Sequence, residues 1–226
     1  MILKWGVERG KIRVNPCKNF GSRLYNGSRA DKVWSEEDEA AFLVKSPVHL
    51  HLPLLLALWT GQRQGDLLKL PWSAYDGKYI RLRQSKTGVR VTIPVGAPLK
   101  VALDAAAKVK KGPMILISTD GRPWTSDGFR SSWRKACAAA GIVGVTFHDL
   151  RGSTVTRLAL AGATEAEIAT ITGHKIGDVR NILDKYLDKD PRLAESAIRK
   201  LETRTNLQTG LESTLEASHH GTAKRK

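Results

Sequence analysis

In the segment Thr60-Gly61-Gln62-Arg63-Gln64-Gly65-Asp66 an arginine stands where an apolar helix ends and the next helix begins. The fork of guanidinium donors matches the oxygens of a phosphate or carboxylate. Asp66 lies three residues on, on the same helical face, where it can clamp Arg63 and aim it outward. In His148-Asp149-Leu150-Arg151 a histidine and an arginine three apart share one helix face, a pair able to hold an anion and move a proton. Thr172-Gly173-His174 sets another histidine in a turn between helices. Tyr186, the only tyrosine after Tyr79, has Lys185 beside it and Lys189 three residues on. Lys86 sits in Gln84-Ser85-Lys86-Thr87-Gly88, the tip of a predicted hairpin, where an ammonium can approach a nucleic-acid backbone oxygen.

Taken singly, each has an ordinary structural reading. Arg63 and Asp66 can form a capping ion pair, His148 can be a satisfied core or capping histidine, and His174 an exposed loop histidine. Tyr186 can pack into a core, and Lys86 can be a solvated charge. A zinc site on His148 and Asp149 fails, because adjacent helical residues point apart and no third ligand stands at a suitable spacing.

The elements that must position these residues are mostly helical. A basic helix is expected over 2–15, stopped by Asn15-Pro16. Residues 17–33 read as a linker. Ser35 followed by Glu36, Glu37 and Asp38 marks a helix start, and Pro47 ends that helix. A strongly apolar helix follows from about His49 to Thr60, then a short one from Gln64 to Leu70. Lys78–Arg83 and Arg90–Val95 alternate around a glycine-containing turn, the pattern of a β-hairpin. Helices are expected at 97–110, 126–140, 148–161, 164–171, 178–186 and 190–201, with a short strand over Met114–Ile117. The fold class is therefore mainly α with a small antiparallel β-sheet. Residues 1–30 form a leading helix and linker, 31–201 one folded domain, and 202–226 a flexible tail.

Composition narrows the partners. The chain has 226 residues and a formal net charge of +15. Residues 1–30 carry seven Lys/Arg against one Glu, and 202–226 carry four against three, so the folded middle is itself basic. A polyanion is the expected partner, nucleic acid before an anionic membrane surface. The two cysteines, Cys17 and Cys137, are too far apart in sequence to suggest a zinc knuckle or a disulfide framework, which fits a reducing cytoplasm. The longest apolar run, Leu52–Thr60, is too short to span a membrane, and no signal peptide is recognisable.

As a set, the order Arg63, Lys86, His148, Arg151, His174, Tyr186 and the segments T-G-Q-R-Q-G-D, H-D-L-R and T-G-H resemble the signature of the tyrosine recombinase (phage integrase) family. The resemblance covers roughly residues 31–201 and implies that family's catalytic-domain fold. It implies that Tyr186 attacks a DNA phosphate and forms a 3′-phosphotyrosyl link. Arg63 and Arg151 would hold the non-bridging oxygens and Lys86 would protonate the leaving 5′-oxygen. His148 would transfer protons, His174 would hydrogen-bond the phosphate, and Asp66 would support the site from behind. No metal, ATP or other cofactor is implied.

Further expectations follow from the resemblance. The substrate is double-stranded DNA of a prophage or other mobile element, integrated or excised near the nucleoid of a prokaryotic host. Four protomers assemble on two duplexes, while the free protein can be a monomer. Pro191–Leu201 with the tail is the candidate subunit-exchange element. Two features depart from the family. The interval of twelve residues from His174 to Tyr186 is a few longer than usual and could displace the nucleophile. Residues 2–15 look like only the last helix of an N-terminal DNA-binding domain. The alternatives are a truncated integrase that binds DNA without recombining, and a type IB topoisomerase-like activity that relaxes supercoils. A plain RNA-binding module is the most distant reading.

Overall fold

The computed structural model describes residues 2–17, 32–187 and 191–204. Most of the expected linker (18–31) and most of the expected tail (205–226) lie outside the described residues.

The first helix, α1 (Ile2–Glu8), is shorter than the sequence suggests. Gly10 takes a positive φ of 66°, and the amides of Gly10 and Lys11 turn back onto the carbonyls of Val7 and Gly6. This glycine terminates the helix before Asn15-Pro16 can. Helix α2 (Glu36–Lys45) begins as expected: Ser35 Oγ accepts from the Asp38 amide at 3.0 Å, and the Asp38 carboxylate accepts from the Ser35 amide. A 3-10 turn leads into α3 (His51–Thr60), whose apolar sequence is buried along Leu54, Leu56 and Ala57. The short α4 (Gln64–Leu67) follows.

Strands β1 (Tyr79–Arg83) and β2 (Arg90–Pro94) pair antiparallel, with Tyr79 opposite Pro94 and Arg83 opposite Arg90. Ile80, Leu82 and Gln84 face inward at the strand period of two, while Arg81 and Arg83 face out. The strand expected at Met114–Ile117 is absent. Met114 makes one bridge to Pro71 and Ile117 one to Pro123, because the chain between them is engaged in separate short pairings rather than one ladder. Helices α5 (Ala97–Lys108) and α6 (Ser126–Ala140) precede a 3-10 turn, Phe147–Asp149. Then come α7 (Leu150–Leu160), α8 (Glu165–Thr172), α9 (Ile176–Tyr186) and a helix over 191–204, α10.

Two apolar clusters hold this together. The larger joins α2, α3, α5 and α6 around an aromatic group: Phe42 stacks on Trp133 at 4.4 Å, and Phe147 meets Trp133 edge-on at 4.7 Å. The smaller consists of Val155, Ile168, Ala169 and Val179, from α7, α8 and α9. Helix α7 belongs to both, through Leu150 and Val155. It packs on α3 as well as on α8 and α9.

The aromatic group and the helix cap differ in what their loss should cost. Trp133→Ala is expected to destabilise the chain by about 3–5 kcal/mol, the range for emptying a buried aromatic site. Ser35→Ala should cost about 1 kcal/mol, the value of one N-cap. Urea unfolding followed by tryptophan fluorescence and circular dichroism checks both.

Candidate active site

The site forms where two glycine-marked turns meet the start of α7. Gly61 ends α3 with φ 62°, and a Cβ there would stand 2.9 Å from Thr172 Cγ2 and 3.2 Å from Thr154 Cγ2. Gly173 ends α8 with φ 69°, and a Cβ there would press into the Gln84 carboxamide at 2.5–3.0 Å. Both positions therefore need glycine for conformation and for space. Closing these turns brings the ends of α3 and α8 onto α7.

Arg151 leaves the first turn of α7 almost wholly buried, 6% exposed. Its Nη1 donates to the Gly61 carbonyl, and its Nε donates to His174 Nε2 at 3.2 Å. Its Nη2 has no partner among the described residues. Burial, with nearby Arg63, lowers the Arg151 pKa to about 10, against the opposing pull of Asp66. It is still cationic at neutral pH. A buried cation beside a second cation, with one N–H group unsatisfied, is an arrangement completed by an anion.

The tautomer of His174 follows from its partners. Thr172 Oγ1 donates its one proton to the Ile168 carbonyl at 2.7 Å, so it accepts from His174 Nδ1 at 2.9 Å. Nδ1 carries the proton and Nε2 is free to accept from Arg151. Burial first, then Arg151 and Arg63, lower the His174 pKa to about 4, so the ring is neutral at pH 7. In this state His174 orients Arg151.

Arg63 stands at the N-terminal boundary of α4 and donates from Nη1 to Gln84 Oε1 at 2.9 Å. Asp66 does not clamp it, contrary to what their spacing suggests. One oxygen of that carboxylate accepts from both the Ser85 amide at 2.8 Å and the Ser85 hydroxyl at 2.7 Å. Asp66 thus braces the hairpin turn beside Lys86. Lys86 itself is exposed in that turn, and His148 is exposed in the 3-10 turn before α7. No hydrogen bond ties either of them to Arg63, Arg151 or His174 among the described residues.

Tyr186 is the last residue of α9 and is half-buried. Its hydroxyl lies 3.2 Å from the position a Cβ on Gly152 would take, next in sequence to Arg151. The interval after His174 is spanned by α9, whose last residue packs against α7 at Gly152. The structure thus brings Arg63, Arg151 and His174 together, sets the Tyr186 hydroxyl against Gly152 on the same helix as Arg151, and leaves Lys86 and His148 exposed at the margin.

Sequence reasoning missed several residues that build the site. Trp34 donates its amide to Ser153 Oγ and its indole N–H to the Thr146 carbonyl, both at 2.9 Å. It thereby ties down both sides of His148-Asp149-Leu150-Arg151. Asp149 accepts from the amide and hydroxyl of Thr146 and fixes the turn bearing His148. Gln62 donates to the carbonyls of Thr60 and Ile171. Gln84 had a legible signal: a polar residue in phase with the inward-facing Ile80 and Leu82.

A His174 pKa near 4 lies below the ordinary histidine value of about 6.5. Between those values the unfolded chain binds the proton more readily than the folded one. The contribution is whole above pH 6.5 and is lost as pH falls toward 4. His174→Gln is expected to flatten the dependence of stability on pH across that window, measured by chemical denaturation. In the folded protein the His174 ring signal should titrate near 4. In Arg63→Ala the midpoint should rise, because one repelling cation is gone.

Residues 36–193 match the phage integrase family. Over 141 residues the chain is 34% identical to the integrase of Escherichia phage lambda, covering 58% of this chain and 39% of that protein. Over 187 residues it is 27% identical to the shufflon-specific DNA recombinase of Escherichia coli, covering 80% of this chain and 46% of that protein. The chain thus spans less than half the length of these two relatives. Among solved structures, the lambda integrase catalytic core superposes with a TM-score of 0.56 at 30% identity, covering 64% of this chain and 91% of that one. A lambda integrase dimer bound to a COC′ core site superposes at 0.63 with 27% identity, covering 76% of this chain and 67% of that one. The chain belongs to the phage integrase family.

Proposed function

We propose that this chain carries the catalytic portion of a site-specific DNA recombinase that cuts and rejoins DNA through Tyr186. The observation that carries this reading is the buried Arg151, whose Nη2 lacks a partner among the described residues, on the same helix whose Gly152 the Tyr186 hydroxyl packs against. A phosphodiester placed there meets two guanidinium groups and a nucleophile. The Tyr186 oxygen attacks phosphorus and loses its proton to His148. The bond to the 5′-oxygen breaks, Lys86 protonates that oxygen, and the phosphate stays on Tyr186 as a 3′-phosphotyrosyl ester. The ester conserves the energy of the broken bond, so a 5′-hydroxyl from a partner strand can reverse the step without ATP. Arg63 and Arg151 hold the non-bridging oxygens, where charge accumulates in the transition state. His174 keeps Arg151 turned toward them.

The proposed substrate is double-stranded DNA of a mobile element or prophage, in the cytoplasm of its host. Exposed Arg81, Arg83, Lys86 and Arg90 on the hairpin extend the basic surface beside the site. The lambda integrase relatives are seen as dimers and as a tetramer on DNA. We infer the same order of assembly for this chain, with α10 contributing to it. Here α10 rests against its own α7 end, Lys200 beside Gly162, and leaves Ile198 and Leu201 exposed.

Incubation with a nicked duplex from the ends of its element should yield a covalent protein–DNA adduct on a denaturing gel. Tyr186→Phe should abolish the adduct, and Arg151→Ala should slow it by roughly 10²–10³, the usual cost of removing one transition-state donor. Salt-sensitive binding without any adduct would instead identify a DNA-binding protein that does not recombine. Deletion of residues 190–226 should weaken assembly on paired sites while leaving single-site binding intact, read by native gel shift; unchanged assembly would remove α10 from that role.

A further inference from the structure

Gln84 is fully buried just past the end of β1, and every hydrogen-bonding position of its carboxamide is used. Its Nε2 donates to Gln62 Oε1 and to the Thr172 carbonyl, both at 2.7 Å. Its Oε1 accepts from Arg63 Nη1 at 2.9 Å and from Thr87 Oγ1 at 2.8 Å. A carboxamide offers two donors and two acceptor positions, so this one is saturated and its orientation is fixed. Turning it over would set its N–H groups against the donors of Arg63 and Thr87. The four bonds reach the Arg63 turn, the turn before His174, and the residue after Lys86. The cradle around it is fitted as well, since Gly173 leaves the space that Gln84 fills.

We propose that Gln84 is a positioning residue that aims Arg63 at the scissile phosphate and locks the Lys86 turn against the turn carrying His174. The proposal rests on the DNA-cleavage reading above. Its physical core is the neutrality of the group. A carboxylate would hold a guanidinium more firmly, yet it would cancel part of the positive charge that the phosphate must meet and would compete for the same donors. A carboxamide orients the fork and leaves its charge intact. Among the described residues no carboxylate pairs with Arg63, and Asp66, the nearest in sequence, is turned onto Ser85. Among the described residues one Arg63 N–H goes to Gln84, which leaves the others for an anion.

The test compares wild type, Gln84→Met and Gln84→Glu on the nicked duplex, made once with an ordinary scissile phosphate and once with a methylphosphonate there. The methylphosphonate carries no negative charge and so needs Arg63 less. Gln84→Met keeps the length of the side chain but frees Arg63. Gln84→Glu keeps its shape but pairs with Arg63 and sets an anion beside the phosphate. Both variants should form the adduct roughly tenfold to a hundredfold more slowly on the phosphate at saturating DNA, the scale expected for a misplaced group. Half-saturation should stay near that of wild type, and the deficit should largely vanish on the methylphosphonate. Wild-type rates on the phosphate, or an equal deficit on both substrates, would overturn the proposal; the latter would mean a general loss of structure. A second readout needs no cleavage. Rotation of the Arg63 guanidinium, followed by nitrogen-15 NMR, should be slow in wild type and fast in Gln84→Met, and slow rotation in both refutes the hold on Arg63. If wild type forms no adduct, the cleavage reading falls, and the rotation measurement still decides what Gln84 does.

Discussion

Burying a guanidinium costs solvation that only hydrogen bonds and countercharge restore, and Arg151 recovers part of it from the Gly61 carbonyl and from His174. The rest of the architecture serves that placement. Helix α3 must stop at Gly61 so that a carbonyl is exposed in the right direction, and α8 must stop at Gly173 so that His174 can turn inward. The Thr154 hydroxyl reaches the Ala57 and Leu58 carbonyls near the end of α3, fastening α7 alongside it. Helix α7 in turn spans both apolar clusters. A shift of α7 along α3 would leave a buried cation without its partners, so the register of that helix pair is tightly specified.

Much of the scaffold could be read from the chain, because its signals are local. The Ser35 cap, the apolar α3, the alternating strands around Lys86 and the glycine after α6 each act within a few residues. The boundaries that were misread reflect competition between nearby signals. Gly10 ended α1 before Pro16 could, and Met114–Ile117 split into two bridges because Pro71 and Pro123 each took one end.

The site was legible as a set of residue types and much less as a network. Arg63, Arg151 and His174 do converge, but spacing along a helix could not reveal which acceptor each cation would choose. Asp66 is three residues from Arg63 and still bonds to Ser85, nineteen residues away. Gln84 reaches Thr172 across eighty-eight positions. Such pairings are decided by which turns the fold brings together, and a single sequence does not encode them locally. The environment of Arg151 is not legible in the sequence either. Only in the folded chain is Arg151 desolvated, and only there does a histidine beside it become a poor base.

The Arg151–Gly61 bond closes a loop of ninety residues. Gly61 is synthesised before Arg151, with the hairpin, α5 and α6 between them. Until both are present and docked, Arg151 is not desolvated. Its buried environment is therefore a property of the completed fold alone. A chain ended or cut between these positions keeps its positive charge but not the buried guanidinium. The long span between two bonded residues thus ties the burial of this one cation to the assembly of nearly the whole described core.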